Sequence, residues 1–261
     1  MITIFRRVRE KLIASGSVTK YLLYATGEVL LVVIGILLAL QINNWNEERL
    51  TDNQEKYLLI ELEKEYFQNL TAIEDDINAN EQSLSAAIDL IEGIQSKELL
   101  TQQANIDSLI AYLNNISGFD PVSGVIDDII NTGKLEVIRN DSLRYLLANW
   151  GEKVSNLYDD ISIRNLHLFD LIIPYLSKHY PLNNTRPYFE SLSFLSQQDW
   201  EQWQNVKTSR SIEAEDPLLS SEFESLLFYH GINQEYVLAN SRSYKEYLLS
   251  VLKLLALEKE N

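Results

Sequence analysis

The sequence predicts an all-α protein in which a single N-terminal transmembrane helix continues into an extracytoplasmic antiparallel helical bundle. Three observations predict this class. Residues 21–42 form an almost unbroken apolar run that is long enough to cross a bilayer. Beyond that run, apolar residues recur at steps of three, four or seven, which is typical of helices packed along one face. The alternation of apolar and polar residues that indicates strands is absent over any length.

The apolar run is predicted to be an uncleaved membrane anchor. Its only strongly polar side chains are Glu28 and Gln41. At 1.5 Å per residue the run spans roughly 33 Å, about the thickness of a hydrocarbon core. Tyr24 and Trp45 stand near its two ends, where an aromatic belt would place them. A cleavable signal peptide is the alternative, but the run is too long and no Ala-x-Ala site follows it.

Charge predicts the orientation of this anchor. The first 20 residues contain one acidic residue and the basic residues Arg6, Arg7, Arg9, Lys11 and Lys20. Because basic flanks stay in the cytoplasm, everything after about residue 43 is predicted to face out. The predicted domains are therefore a basic cytoplasmic or interfacial segment, 1–20, a transmembrane helix, 21–42, and an acidic helical bundle, 43–261. The first segment is either a short basic helix on the inner membrane surface or only a topology signal.

Composition excludes several functions. The formal charge of −16 is concentrated after the basic segment, and an acidic domain repels nucleic acid, so no nucleic-acid partner is expected. Cysteine is absent, which excludes disulfides, thiolate metal sites, cysteine nucleophiles and a lipoprotein anchor.

The outer helices are predicted from their periodicity and their caps. One long helix runs from about Trp45 to Gln95, either separate from the membrane span or continuous with it, and a short helix covers about residues 105–116. Asp120 and Pro121 are predicted to start a helix that Gly133 stops.

Three further helices are predicted in the second half of the chain. One opens at Asn140 or Asp141, with Gly151 a weak point and Pro174 its kink or end. Another starts at Asp216 and Pro217 and stops at Gly231, and a last one runs from Asn233 to the C-terminus.

Glu28 is the most informative candidate residue, because a charged side chain inside a membrane span is costly and usually functional. At helical spacing it shares a face with Val32, Gly35 and Ala39. The Gly-x-x-x-Ala step lets two helices approach closely, so this face is predicted to be a transmembrane interface. The alternatives are that Glu28 reaches water at the headgroup level, or that it takes part in proton or ion movement.

Catalytic and metal sites are not predicted, and the chain is expected not to be an enzyme and to need no cofactor. His167, His179 and His230 lack the spacing of metal ligands, and no nucleophile or phosphate-binding motif occurs. The aromatic-rich stretch 180–203 either closes one end of the bundle or forms a binding surface.

Two stretches of the sequence resemble a known family. They are "KYLLYATGEVLLVVIGILLALQINNWNEE" and "IDDIINTGKLEVIRNDSLRYLLANW". They resemble a family of uncharacterised membrane proteins common in Bacteroidota, whose members carry a basic N-terminus, a similar span and a helical outer domain. The resemblance is specific over residues 1–50 and moderate around 126–150. It implies a bacterial inner-membrane protein with a periplasmic domain, and it implies no activity.

The expected function is that of a membrane-anchored periplasmic interaction protein, either a scaffold or an accessory subunit of an envelope complex. Its expected partners are the lipid bilayer and either a second copy or another membrane protein, bound through the transmembrane face. The alternative is a periplasmic ligand-sensing, ion-coupled or transport-associated subunit that uses Glu28. A buried, partly polar cavity would favour sensing, and a solid core with an exposed apolar patch would favour scaffolding.

Overall fold

A computed structural model describes residues 18–96, 103–114, 119–188 and 217–260. Over these residues every regular element is helical and no strand occurs, so the predicted all-α class is confirmed. The α-helices are α1 Val18–Ser96, α2 Gln103–Leu113, α3 Gly124–Asn131, α4 Asp141–Ala148, α5 Trp150–His167, α6 Ile173–His179 and α7 Ser221–Glu260. Three 3₁₀ turns, Lys134–Val137, Leu182–Tyr188 and Pro217–Leu219, and a π-helical turn, Leu168–Ile172, complete the set.

Helix α1 is continuous over 79 residues, so the long outer helix and the membrane run form one element. No proline interrupts the sequence between Val18 and Ser96, and helical hydrogen bonding can therefore propagate throughout. The chain divides into two units, Met1–Tyr57 and Leu58–Asn261, and α1 belongs to both. The second unit is called the body below.

Two apolar clusters form the core of the body. The first cluster centres on Tyr66, whose ring lies 5.4 Å from that of Trp150 and 6.3 Å from that of Tyr247. The second cluster includes Leu90 and Phe223 and draws on α1, α2, α6 and α7. Burying large apolar side chains in this way contributes about 1.5–3 kcal/mol for each of them.

Polar pairs join α1 to α7 along the surface of the body. Side chains of α1 contact those of α7 in the pairs Glu63–Lys259, Glu74–Lys245, Glu81–Arg242 and Gln95–Glu224. As the residue number on α1 rises from 63 to 95, the residue number of its partner on α7 falls from 259 to 224. Such exposed pairs contribute at most about 1 kcal/mol each, so the register depends mainly on the buried faces.

The predicted break in the last helix is wrong. Helix α7 runs unbroken for 40 residues through Gly231 and Asn233. Leu227, Gln234 and Val237 are buried on both sides of the glycine, and their packing outweighs the roughly 1 kcal/mol that a mid-helix glycine costs. The predicted start is also displaced, because Pro217 begins a 3₁₀ turn and α7 begins at Ser221; Asp216 lies outside the described residues.

The predicted start of α3 is wrong as well. The helix begins at Gly124 rather than at Pro121, and the Asp120 carboxylate accepts a hydrogen bond from the hydroxyl of Tyr158 instead of capping it. The cap comes from α1. The two carboxylate oxygens of Glu65 accept hydrogen bonds from the backbone N–H groups of Val125, at 2.7 Å, and Ile126, at 3.0 Å.

Asn69, one turn after Glu65, holds the chain just before α3. Its side-chain amide donates to the carbonyl of Val122 and accepts from the N–H of the same residue, both at 2.8 Å. Helix α1 thus supplies the first-turn hydrogen bonds that a helix needs at its N-terminus, and no local capping residue is required. Burial raises the pKa of the Glu65 carboxyl, and the two backbone hydrogen bonds oppose that rise.

The other caps agree with the sequence. Gly133 follows α3 with a left-handed φ of 71°, and the Asn140 side chain accepts a hydrogen bond from the N–H of Leu143 at the start of α4. Pro174 does not end its helix. The chain passes through the π-helical turn before it and continues as α6, which is a recognised way of accommodating a proline.

Candidate functional site

The apolar part of α1 is exposed throughout. Every large apolar side chain from Val29 to Ile42 exposes at least 44% of its surface. The described residues contain one helix that is long enough and apolar enough to cross a membrane, and that helix is α1. A continuous apolar surface of this size needs a nonaqueous environment, which a bilayer supplies.

The predicted interface residues lie together on one face of this helix. Because α1 is regular, Glu28, Val32, Gly35 and Ala39 follow one another at steps of four, three and four. A Cβ atom added to Gly35 would meet no other atom within 4 Å in the described residues. Within the described residues no contact therefore requires a glycine there, whereas a closely packed neighbouring helix would.

A shallow groove continues this face beyond Ala39. It has a volume of about 420 Å³ and is lined by Ala39, Ile42, Asn43, Trp45, Asn46 and Arg49. Asn43 donates to the carboxylate of Glu47 at 2.8 Å, and Arg49 donates to the side-chain oxygen of Asn46 at 3.2 Å. Sequence analysis missed this extension, although the steps of three and four from Ala39 to Ile42, Asn46 and Arg49 are visible in the sequence.

Some predicted sites lie outside the described residues. Arg6, Arg7, Arg9 and Lys11 precede them, and of Lys20 only the backbone is described, as part of α1. In the aromatic-rich stretch, Phe189 to Trp203 also lie outside. Its first residue, Tyr180, is buried in the second cluster, and its hydroxyl donates a hydrogen bond to Asp107.

A second candidate site is a layer of polar side chains inside the body, called the polar layer below. Its members expose none of their surface: Asp76, Asn80, Ser83, Arg164, His230, Gln234 and Ser241. Along α1, Asn80 and Ser83 fall between Ile77, in the first cluster, and Ala86, where the second begins, and Asp76 immediately precedes Ile77. On α5 Arg164 falls between the two clusters, and on α7 so do His230 and Gln234, whereas Ser241 lies within the first cluster's part of α7. The central members of the layer therefore separate the two apolar clusters. Its members are too far apart in the sequence for the helical periodicity to predict it.

Arg164 is the buried cation of the polar layer. Its guanidinium donates hydrogen bonds to the side-chain oxygens of Asn80 and Gln234, and Asn80 in turn donates to the carboxylate of Asp76. Burial lowers the pKa of Arg164 to about 10, while the charge of Asp76 opposes that shift. The arginine therefore stays charged at neutral pH, and polar groups of α1 and α7 solvate it in place of water.

Ser83 and His230 form the other half of the layer. The Ser83 hydroxyl donates to the carbonyl of Leu113 at 2.9 Å and lies 3.0 Å from Nε2 of His230. Because the Ser83 hydroxyl already donates its proton to Leu113, the proton of the second contact belongs to His230, whose Nε2 donates to the Ser83 oxygen. The Nδ1 atom of His230 has no hydrogen-bond partner among the described residues. Burial, together with smaller effects of the neighbouring His167 and Arg164, lowers the pKa of His230 to about 3.

This serine–histidine pair does not have the arrangement of a nucleophile and its base. The proton of Ser83 points to a carbonyl rather than to the histidine, and neither side chain is accessible to a substrate. The rings of His167 and His230 stack 6.3 Å apart, but within the described ranges no three potential metal ligands come together. What the layer can do is fix the alignment of the helices that supply it.

Comparison with known proteins identifies one family. No curated protein matches the chain, and no solved structure matches it. A family of unknown function, DUF6090, matches residues 28–178, which extend from Glu28 in α1 to Lys178 in α6 and cover more than half of the chain. The chain belongs to the DUF6090 family of unknown function.

Proposed function

We propose that the protein is a non-enzymatic, membrane-anchored interaction protein, either a scaffold or an accessory subunit of an envelope complex. The observation that carries the proposal is the apolar surface of α1, which exposes every large side chain from Val29 to Ile42. The length and apolar character of this surface suit the hydrocarbon core of a bilayer. The helix that carries it is continuous with the α1 residues of the body.

In the proposed topology, the N-terminus faces the cytoplasm of a bacterium and the body lies in the periplasm. The basic side chains before the span and the acidic pair Glu47 and Glu48 after it support this orientation. The falling order of contacts along α7 is what two antiparallel helices give, which supports an antiparallel bundle as the periplasmic domain.

The anchor is further proposed to self-associate through the face that contains Glu28, Val32, Gly35 and Ala39. Two copies in parallel would bring their small residues together and let the backbones approach closely. The groove from Ala39 to Arg49 would extend the contact, and Asn46 of each copy could hydrogen-bond across it.

The variant Gly35→Leu tests this association. Within the described residues the space beside Gly35 is open to an added Cβ, so a larger side chain there is expected to perturb mainly a contact with another helix. The full chain is purified in a mild detergent and the mass of its protein component is measured by light scattering. Wild type is expected as a dimer or larger species, and Gly35→Leu as a monomer. Leu37→Ala, roughly 200° around the helix, is the control and should behave as wild type. A monomeric wild type, or an unchanged Gly35→Leu, would remove self-association from the proposal.

Ligand sensing is the second candidate, and the polar layer is the observation that favours it. The layer is filled, however, by side chains that hydrogen-bond to one another, whereas a sensor needs room for its ligand. The body also exposes apolar side chains on its surface, including Phe228 and Leu166. Polar side chains that bond to one another, together with exposed apolar groups, support interaction over sensing.

A further inference from the structure

A second exposed apolar surface lies on the outer faces of α5 and α7. It is called the α5–α7 surface, and it consists of Ile163, Leu166, Phe228, Tyr229, Ile232 and Tyr236, which each expose between 41% and 63% of their surface. Exposed apolar side chains are normal when they are scattered singly, so their grouping decides whether they form a binding surface.

The α7 members are neighbours on one helix face. Phe228, Ile232 and Tyr236 follow at steps of four, and the ring of Tyr229 packs edge-on against Phe228 at 5.8 Å between centroids. The surface is thus continuous over more than two helical turns.

Hydrogen bonds align α5 with this part of α7. The carboxylate of Asp160 accepts from Asn240, and the ring of His167 contacts the carbonyl of Leu226 at 3.0 Å. Ile163 lies three residues after Asp160 and Leu166 immediately precedes His167, so both stand beside the part of α7, residues 226–240, that carries the other members. The two helices therefore present their apolar side chains side by side.

The exposed charged side chains of the two segments that carry this surface are all acidic. Asp159, Asp170, Glu222 and Glu235 are exposed acidic residues on the same two segments. Residues 155–172 and 217–239 contain no lysine, and their one arginine, Arg164, is completely buried. The apolar side chains thus have an acidic border without an exposed cation from these segments.

We propose that the α5–α7 surface binds a cationic amphipathic helix of another protein. Such a helix would place its apolar stripe on Ile232 and Tyr236 and its lysines or arginines beside the acidic border. A second copy of this chain fits poorly, because like charges would then face each other across the contact. An anionic lipid surface is disfavoured for the same reason. The proposal does not depend on self-association of the anchor.

Photocrosslinking tests this proposal with the full chain in phosphatidylcholine nanodiscs. Benzoylphenylalanine replaces Ile232, or, as the control, Tyr145, which is 70% exposed on α4. The probe is a fluorescent helical peptide of leucine and lysine, and the matched peptide has glutamate in place of lysine. The readout is a fluorescent covalent band on the chain, which peptide bound only to lipid does not give.

The lysine peptide is expected to label position 232 well above position 145, and the glutamate peptide to label neither. Asp170→Asn combined with Glu235→Gln should reduce labelling at position 232 about three- to tenfold, because two rim pairs are lost. Equal labelling by both peptides, equal labelling at both positions, or no effect of the neutralised border would each overturn the proposal. Crosslinks from position 232 to lipid or to a second chain would assign the surface to those partners and also overturn it.

Discussion

Ser83 and His230 lie 3.0 Å apart in the interior of the body, although 147 positions separate them in the chain. The contact exists only when α1 and α7 are aligned in one register. A shift of either helix by one turn would place these polar side chains against the leucines of the two apolar clusters, at a cost of several kcal/mol. The polar layer thus selects one alignment of helices whose apolar faces alone would tolerate others, as single polar residues do in coiled coils.

Arg164→Met tests the polar layer. Methionine fills similar space but leaves Asp76 buried without the neighbouring cation, so the free energy of unfolding should fall by about 3–5 kcal/mol. Urea titration of the full chain in detergent, followed by tryptophan fluorescence, measures this change. Arg242→Met, which removes an exposed pair with Glu81, is the control and should cost less than about 1 kcal/mol. Equal stability of the two variants would show that the layer does not hold the body together.

The buried histidine predicts a pH dependence of stability. The pKa of His230 is lowered from 6.5 to about 3 by burial, so the unfolded chain takes up a proton that the folded chain refuses between these values. Wild type therefore loses stability as the pH falls below about 6.5, by up to about 1.4 kcal/mol per pH unit from this group. His230→Gln has no such group and therefore does not lose this part of its stability as the pH falls. When the free energy of unfolding is measured by denaturation at several pH values, the difference between wild type and His230→Gln should shrink as the pH is lowered. His179→Gln is the control, and a pH-independent difference for His230→Gln would contradict the assignment.

Glu65→Gln tests the cap that α1 provides to α3. Glutamine replaces one of the two acceptor oxygens with an NH2 group, which would face the N–H of Val125 or Ile126 as a second donor. About 1–3 kcal/mol of stability should therefore be lost. Amide hydrogen exchange should accelerate at these two residues first. Glu61→Gln, which alters an exposed pair with Lys64 on the same helix, should leave the exchange of α3 unchanged. Unchanged protection of α3 in Glu65→Gln would count against the cap.

A pair of glycine variants tests where helices end. Gly231 lies inside α7, and an added Cβ would stand 3.6 Å from Leu84, an ordinary contact, so Gly231→Ala should stabilise the protein by about 0.5–1 kcal/mol. Gly133 has a left-handed φ of 71°, so Gly133→Ala should destabilise it by about 1 kcal/mol. Thermal unfolding of both variants is compared with that of wild type. Destabilisation by Gly231→Ala would mean that α7 is broken there.

The absence of cysteine permits a direct test of topology. Ser15→Cys and Ser243→Cys each introduce the chain's single thiol, the first in the basic segment before the span and the second at an exposed position of α7. In spheroplasts, a membrane-impermeant maleimide is expected to label Ser243→Cys at once and Ser15→Cys only after lysis. The opposite order would invert the proposed orientation.

The sequence by itself determined the features that depend on neighbouring residues. The apolar run, the stop at Gly133 and the cap at Asn140 all follow from side chains a few positions apart. For such features, spacing along the chain is the same as spacing along the helix.

Tertiary structure decided what depends on distant residues. The start of α3 follows from Glu65, 60 positions before Val125, and α7 passes through Gly231 because packing on both sides outweighs its local preference. The polar layer, too, draws Asp76, Arg164 and Gln234 from three helices. Contacts that close long loops leave no periodic pattern in the sequence, and their energies exceed the roughly 1 kcal/mol differences on which local prediction depends.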